Sequence, residues 1–253
     1  MPRSKKCNIL IPMSGLGSRF SSVGFTKPKP FIEVFDDSMI RTVIKNLNFD
    51  GAYFIFIINE SQVSSIDFYN HIGTLLNKFT LITVKEVTDG PACSALLASD
   101  SILDDTPLII ANCDQIVHDF NFEKLYEFSL INNAEGVIGC FLSNSPKNSY
   151  VKLDNEGKIL DVKEKVVISN IATNGIHFWK AGSDFVESAE KMIEANETYN
   201  KEFYIAPSYN YLVKDGKKIL PFFYNLHYPI GTPEDLLKYQ ETFKNGYLQD
   251  RRL

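Results

Sequence analysis

Short apolar runs recur along the first half of the chain, with room for one helix between each pair. Cys7–Pro12 reads CNILIP, a continuous apolar stretch of the kind that a strand covered on both faces requires. Comparable runs follow at Tyr53–Ile58, Leu81–Val84, Pro107–Ala111 and Gly136–Phe141. Between them lie helix-like segments: Met39–Leu47 with Ser38 as N-cap, Gln62–Asn77, Ala92–Ser99 and Phe122–Asn132. Strands alternating with helices predict an α/β fold, a Rossmann-like, mostly parallel mixed sheet with helices on both faces.

The second half changes character. Tyr150–Leu153, the turn Asn155-Glu156-Gly157 and Lys158–Lys163 read as strand, turn, strand. A strand over Asn174–Trp179 follows, then helices Asp184–Glu194 and Ile205–Lys214, strand Lys218–Phe223 and helix Pro233–Phe243. No repeat, low-complexity tract or linker interrupts the chain. A single domain over residues 1–253 is expected, with parts 1–141, a small antiparallel elaboration 142–230 and a C-terminal helix 231–253.

Composition narrows the partners. With 44% apolar and 23% charged residues, the 253-residue chain reads as an ordinary soluble globular protein. Thirty-one acidic residues against 26 basic ones give a net charge of −5, without a Lys/Arg stripe. Nucleic acid and anionic membranes are therefore not expected partners. No run approaches the roughly 20 apolar residues of a membrane span, and a cytoplasmic protein is expected. Cys7, Cys93, Cys113 and Cys140 are scattered without C-x-x-C spacing and read as buried thiols. His71, His118, His177 and His227 show no ligand spacing and read as surface or satisfied residues.

Against this acidic balance, the loop after the first strand is basic. It carries Arg19, Lys27 and Lys29 beside Pro28 and Pro30. In open α/β sheets ligands sit beyond the carboxyl ends of the strands. Pro12-Met13-Ser14-Gly15-Leu16-Gly17-Ser18-Arg19 occupies such a place. Its glycines allow backbone N–H groups to approach a phosphate, and Arg19 can fork onto its oxygens. Phe20 stands where a dinucleotide fingerprint would have its third glycine, and no Gly-Lys-Ser/Thr of a P-loop follows. A tight turn that merely needs glycine competes evenly with the anion site.

The spacing from Gly15, Gly17, Ser18 and Arg19 to Pro28-Lys29-Pro30 changes that balance. Here the chain resembles the sugar-phosphate nucleotidylyltransferases, which open with a strand, G-x-G-[ST]-R and then P-K-P. That family transfers a nucleotidyl group from an NTP to a phosphomonoester and releases pyrophosphate. The resemblance implies that Arg19 holds the β- and γ-phosphates and that Lys29 binds phosphate near the reacting centre. It makes residues 1–141 the nucleotide-binding part and 142–230 the acceptor-binding part.

Further motifs follow in family order. Gly90, Pro91, Ala92 and Ser94 match a helix start that contacts base and ribose, although Gly-Pro also simply initiates helices. Asn112-Cys113-Asp114-Gln115 ends a buried strand. A carboxylate there is costly unless a cation compensates it, and Asp114 matches the family's Mg²⁺ ligand. The competing reading of Asp114 is a cap of the following segment, and Asp119 is expected to cap the helix near Phe122. Glu164-Lys165 matches the family's E-K pair, implying that Lys165 meets the acceptor phosphate and Glu164 its organic part. Tyr150 and Lys152 are expected in the same pocket, and Asn174 is expected to reach the acceptor. Gly231-Thr232-Pro233-Glu234-Asp235-Leu236 matches the family's G-T-P-E-D-L. Many members have an Asp two residues before that glycine as second metal ligand. Pro229 stands there, so a two-carboxylate site is in doubt.

Within the family the chain looks like short bacterial members found with capsule genes. Pro12–Phe20, Asn112–Gln115, Glu202–Pro207 and Gly231–Leu236 carry that likeness. It implies CTP, or another NTP, as donor and a small phosphorylated acceptor, phosphoglutamine among them. A sugar 1-phosphate acceptor, a glycosyltransferase of related fold and a non-catalytic nucleotide-binding module remain as alternatives. A homo-oligomer is left open.

Overall fold

The structure, a computed structural model, describes residues 6–63 and 67–250. Four parallel strands form its centre, in the spatial order Leu108–Ala111, Cys7–Pro12, Ala52–Asn59, Phe79–Val84. Their side chains alternate between two cores, one on each face. Ile9, Ile11, Phe54, Phe56 and Ile58 face one core, while Leu10, Ile55 and Ile57 face the other. Both faces of the three inner strands are covered, which is why these run mostly apolar rather than alternating, whereas the edge strand Phe79–Val84 keeps two threonines and is half-buried.

The antiparallel part joins at Leu108–Ala111. Strand Ile171–Trp179 pairs antiparallel with it and, on its other side, with Gly136–Leu142. Gly136–Leu142, read from sequence as completing the parallel series, is therefore separated from that series by an inserted antiparallel strand. Its parallel partner is Ile219–Phe223. The hairpin Tyr150–Leu153 with Ile159–Lys163 extends the sheet beyond Ile171–Trp179.

Local chemistry sets the helix boundaries. The expected helix Gln62–Asn77 is instead a turn at Glu60–Val63 and a separate helix Phe68–Gly73, with residues 64–66 outside the described part. Asp67 starts the second piece by accepting a bond from the Asn70 N–H. Asn121, not Asp119, caps helix Phe122–Ile131, through a 2.9 Å bond from the Lys124 N–H. Asp119 instead accepts bonds from the N–H groups of Asn225 and Leu226. The C-terminal helix runs from Pro233 to Asp250, longer than its sequence pattern suggests. Cys7, Cys113 and Cys140 are buried, and Cys93 is half-buried. No helix among the described residues is long and apolar enough to cross a membrane.

Candidate active site

The first loop is shaped by one close approach. Gly17 has φ +65, and a Cβ on it would stand 2.8 Å from Cβ of Lys29. Both the left-handed turn and the packing of Lys29 therefore require glycine here. The turn of helix Ser18–Ser21 carries Arg19 on the same cavity wall as Lys29. Lys29 opens a short 3₁₀ turn, held between Pro28 and Pro30. Its ammonium pairs with the Asp114 carboxylate. Burial by itself would lower the Lys29 pKa, but the neighbouring Asp114 carboxylate outweighs it and the net direction is upward.

Asp114 is placed by the end of the chain. Strand His227–Pro229 pairs antiparallel with Gln115–Val117, and the Ile230 N–H donates to the Asp114 carbonyl at 2.8 Å. This brings Gly231 so close that a Cβ there would lie 2.5 Å from Asp114 Oδ2. Thr232 then caps the last helix, accepting from the Asp235 N–H at 3.2 Å and donating to the Asp235 carboxylate at 2.9 Å. The G-T-P-E-D-L stretch is thus a space-making glycine followed by a helix start. Pro229 sits in the ladder opposite Gln115 and offers no ligand. Among the described residues, no three His, Cys, Asp or Glu side chains gather as a metal-binding group.

The second loop closes the opposite wall. Gly90, at φ +123, lies against the Phe203 backbone, where a Cβ would meet its N and O at 2.5 Å. The Phe203 N–H donates to the Asp89 carbonyl at 2.7 Å, and the Ala92 N–H donates to the Phe203 carbonyl at 2.9 Å. The Ser94 hydroxyl bonds those of Ser14 at 2.9 Å and Thr88 at 2.6 Å, joining the two loops.

These elements enclose two cavities that share Pro91, Asn112 and Tyr204. The larger, about 440 Å³, lies past the ends of strands Cys7–Pro12 and Leu108–Ala111. Pro12, Met13, Ser14, Gly15, Gly17, Ser18, Arg19, Lys29, Gly90, Pro91, Ser94, Asn112 and Asp114 all line it. Ala92 does not; it is wholly buried in the core. Phe20, Pro30, Val87, Thr88, Cys113, Glu202, Tyr204 and Gly231 complete the wall.

The smaller cavity, about 210 Å³, takes in few of the residues that the sequence grouped at the acceptor. Of the five side chains expected at the acceptor, Glu164 alone lines it. Tyr150 is wholly buried and donates to the Ser145 carbonyl at 2.7 Å. Lys152 is solvent-exposed and lines neither cavity. Asn174 is buried, its Oδ1 accepting from the Ile176 N–H at 3.1 Å. The lining residues of that strand are Thr173, Gly175 and His177, which alternate with Asn174. Strand side chains point to opposite faces in turn, so Asn174 has the wrong parity. Lys165 lines neither cavity: the chain turns at its φ of +52, and its ammonium reaches the Tyr204 hydroxyl at 2.8 Å. Gln115, Lys147, Ser149 and Tyr204 are the lining groups that sequence reasoning passed over. Period-two counting from Thr173 would have found His177, whereas the loop residues carry no local signal.

Burial sets the charge state of this cavity. It raises the Glu164 pKa, against the lowering effect of the Ser149 bond and of Lys165. His177 is neither exposed nor satisfied, as the sequence suggested. It is 5% exposed, and its Nδ1 has no partner among the described residues. Burial lowers its pKa from 6.5 to about 4. An unfolded chain therefore takes up this proton first, so the stability held above pH 6.5 is lost as pH falls through 4. The shift corresponds to about 3 kcal/mol of unfolding free energy across that window. Urea unfolding at pH 7 and pH 4.5 is expected to show a larger loss for the wild type than for His177→Phe. Equal losses would show that His177 does not titrate in this way.

The sequence profile of the family described as nucleotidyl transferase matches residues 9–246. Among curated proteins, the chain is 30% identical over 178 residues to a mannose-1-phosphate guanyltransferase of Yarrowia lipolytica, covering 66% of this chain and 48% of that protein. A mannose-1-phosphate guanylyltransferase catalytic subunit beta of Dictyostelium discoideum is 27% identical over 179 residues, covering 67% of this chain and 48% of that one. The chain thus spans about half the length of the curated relatives it matches. Among solved structures, a nucleoside-diphosphate-sugar pyrophosphorylase from Vibrio cholerae superposes with a TM-score of 0.79 at 21% identity, over 92% of this chain and 99% of that one. A UDP-glucose pyrophosphorylase complexed with UDP-glucose superposes equally well, with a TM-score of 0.79 at 17% identity, over 95% and 99% of the two chains. The shared fold agrees with a glycine loop and a strand-end aspartate meeting at one cleft, and with a profile match over nearly the whole sequence: the chain belongs to the nucleotidyl transferase family.

Proposed function

We propose that the protein transfers a nucleotidyl group from an NTP to a small phosphorylated acceptor and releases pyrophosphate, with a sugar 1-phosphate as the acceptor class. The observation that carries this reading is the convergence of Arg19, Lys29 and Asp114 on the larger cavity, which meets a second polar cavity along a shared wall. The volume of the larger cavity falls in the usual range for small-ligand sites. The curated relatives bear the name of mannose-1-phosphate guanyltransferases, which favours a sugar phosphate.

The chemistry needs little from the protein beyond charge and position. A phosphomonoester has a second pKa of about 6 and is largely dianionic at pH 7, so it attacks the α-phosphorus without a general base. Repulsion between two anions is the barrier, and cations held in place lower it. Arg19 and Lys29 supply two of them. A third would be Mg²⁺ bound with the triphosphate, for which one carboxylate from the protein suffices. Asp114 is the carboxylate that would hold it, and the Lys29 ammonium now occupies its cation side. Mg²⁺ there would neutralise triphosphate charge.

A second reading has CTP as donor and phosphoglutamine as acceptor. The smaller cavity favours it, because Glu164 and Lys147 place a carboxylate and an ammonium on one wall, suited to an acceptor bearing both charges. A matrix of four NTPs against mannose 1-phosphate, glucose 1-phosphate and phosphoglutamine, read by pyrophosphate release, decides between them. Release with a sugar 1-phosphate supports the first reading; release only with CTP and phosphoglutamine supports the second. A nucleotide-sugar-consuming glycosyltransferase, or a binding module, would release none.

A further inference from the structure

Tyr204 lines both cavities, and its backbone and its hydroxyl make separate connections across the site. The backbone is tied to the nucleotide side. Asn200 and Lys201, at φ +50 and +66, form the tight turn of a short hairpin in which Tyr199 and Glu202 exchange backbone bonds. The next residue, Phe203, is clamped over Gly90 by its backbone bonds with Asp89 and Ala92. The hydroxyl joins Glu202, which lines the larger cavity, to Lys165, whose ammonium lies beside Glu164 of the smaller one. It accepts a 2.8 Å bond from the Lys165 ammonium and donates a 2.6 Å bond to Glu202. The ammonium also lies 4.4 Å from the Tyr204 ring centroid, 5.3 Å from that of Tyr199, and 3.6 Å from Glu164 Oε1. A flexible four-carbon side chain is thus held at one point by a ring and a hydroxyl that cannot move independently of the Gly90 loop.

We propose that Tyr204 is a positioning residue for the transfer reaction: it holds Lys165 at the acceptor side of the site and fixes its distance from the bound nucleotide. This rests on the function proposed above and on Lys165 as the cation that meets the acceptor phosphate. Loss of the hydroxyl removes the hydrogen bond that fixes the ammonium, so the acceptor binds to a less ordered partner, while the Phe203 backbone bonds that shape the Gly90 loop stay in place.

The test compares Tyr204→Phe, Lys165→Met and the double variant, with the NTP and acceptor pair that supports the fastest pyrophosphate release by wild type. Tyr204→Phe keeps the ring and is expected to raise the acceptor KM about tenfold, with NTP binding by calorimetry within twofold of wild type. The double variant is expected to match Lys165→Met alone, because the hydroxyl acts through that ammonium. Multiplicative effects, or an unchanged acceptor KM in Tyr204→Phe, would overturn the role of Tyr204 while leaving the transfer reaction standing. A parallel loss of NTP binding would also overturn it, since the hydroxyl would then serve the nucleotide. No pyrophosphate from wild type with any pair would overturn both readings.

Discussion

Asp114→Ala is expected to lower pyrophosphate release at saturating Mg²⁺ by at least a hundredfold while the circular dichroism spectrum stays that of the wild type. Asp114 is the carboxylate that the strand pair at His227–Pro229 and the bare Gly231 backbone hold against Lys29. Its removal takes away the proposed metal anchor and leaves the ammonium without its counter-charge. A hundredfold loss corresponds to about 3 kcal/mol of barrier, well beyond what one exposed ion pair contributes. The fold survives because the pair lies at a cavity wall, where water can replace the lost carboxylate. A variant that keeps more than a tenth of the wild-type rate would remove Asp114 from this role.

Arg19→Ala is expected to weaken NTP binding ten- to a hundredfold and to leave the acceptor KM nearly unchanged. Arg19 sits on the turn after Gly17, on the wall of the larger cavity. A lost charge-assisted hydrogen bond costs about 1.5–3 kcal/mol, which sets that range. Lys165→Ala is expected to do the reverse, since its ammonium lies with Tyr204 and Glu164. Titrating NTP by calorimetry without acceptor isolates the first step, and steady-state kinetics with varied acceptor isolates the second. Comparable losses of NTP affinity in both variants would assign Lys165 to the triphosphate and merge the two pockets.

The wall of the larger cavity is legible in the sequence because its signals are local. Gly17 must be glycine for its own φ and for the approach of Lys29, and Gly90 for the approach of Phe203. Pro28, Pro30 and Pro91 mark short turns that need no distant partner to be recognised. Asp114 stands out because a strand as apolar as Leu108–Ala111 rarely runs into a charge without a cation nearby. The acceptor side gives no such signals. Whether Asn174 or His177 faces the cavity depends on the parity of strand Ile171–Trp179, and parity depends on which face the hairpin and helices cover.

From sequence alone, then, follow the α/β class, the parallel centre and the glycine turn after the first strand, because continuous apolar runs and obligatory glycines are imposed by each segment's own backbone. Tertiary structure decided the rest. Ile171–Trp179 enters between Leu108–Ala111 and Gly136–Leu142, a choice made by long-range pairing that no local pattern encodes. Tyr150 and Asn174 point into the core rather than the cavity, since sheet registry sets the side on which each residue emerges. The meeting of Lys165 with Tyr204, 39 residues apart, exists only because the Phe203 backbone is held against Gly90.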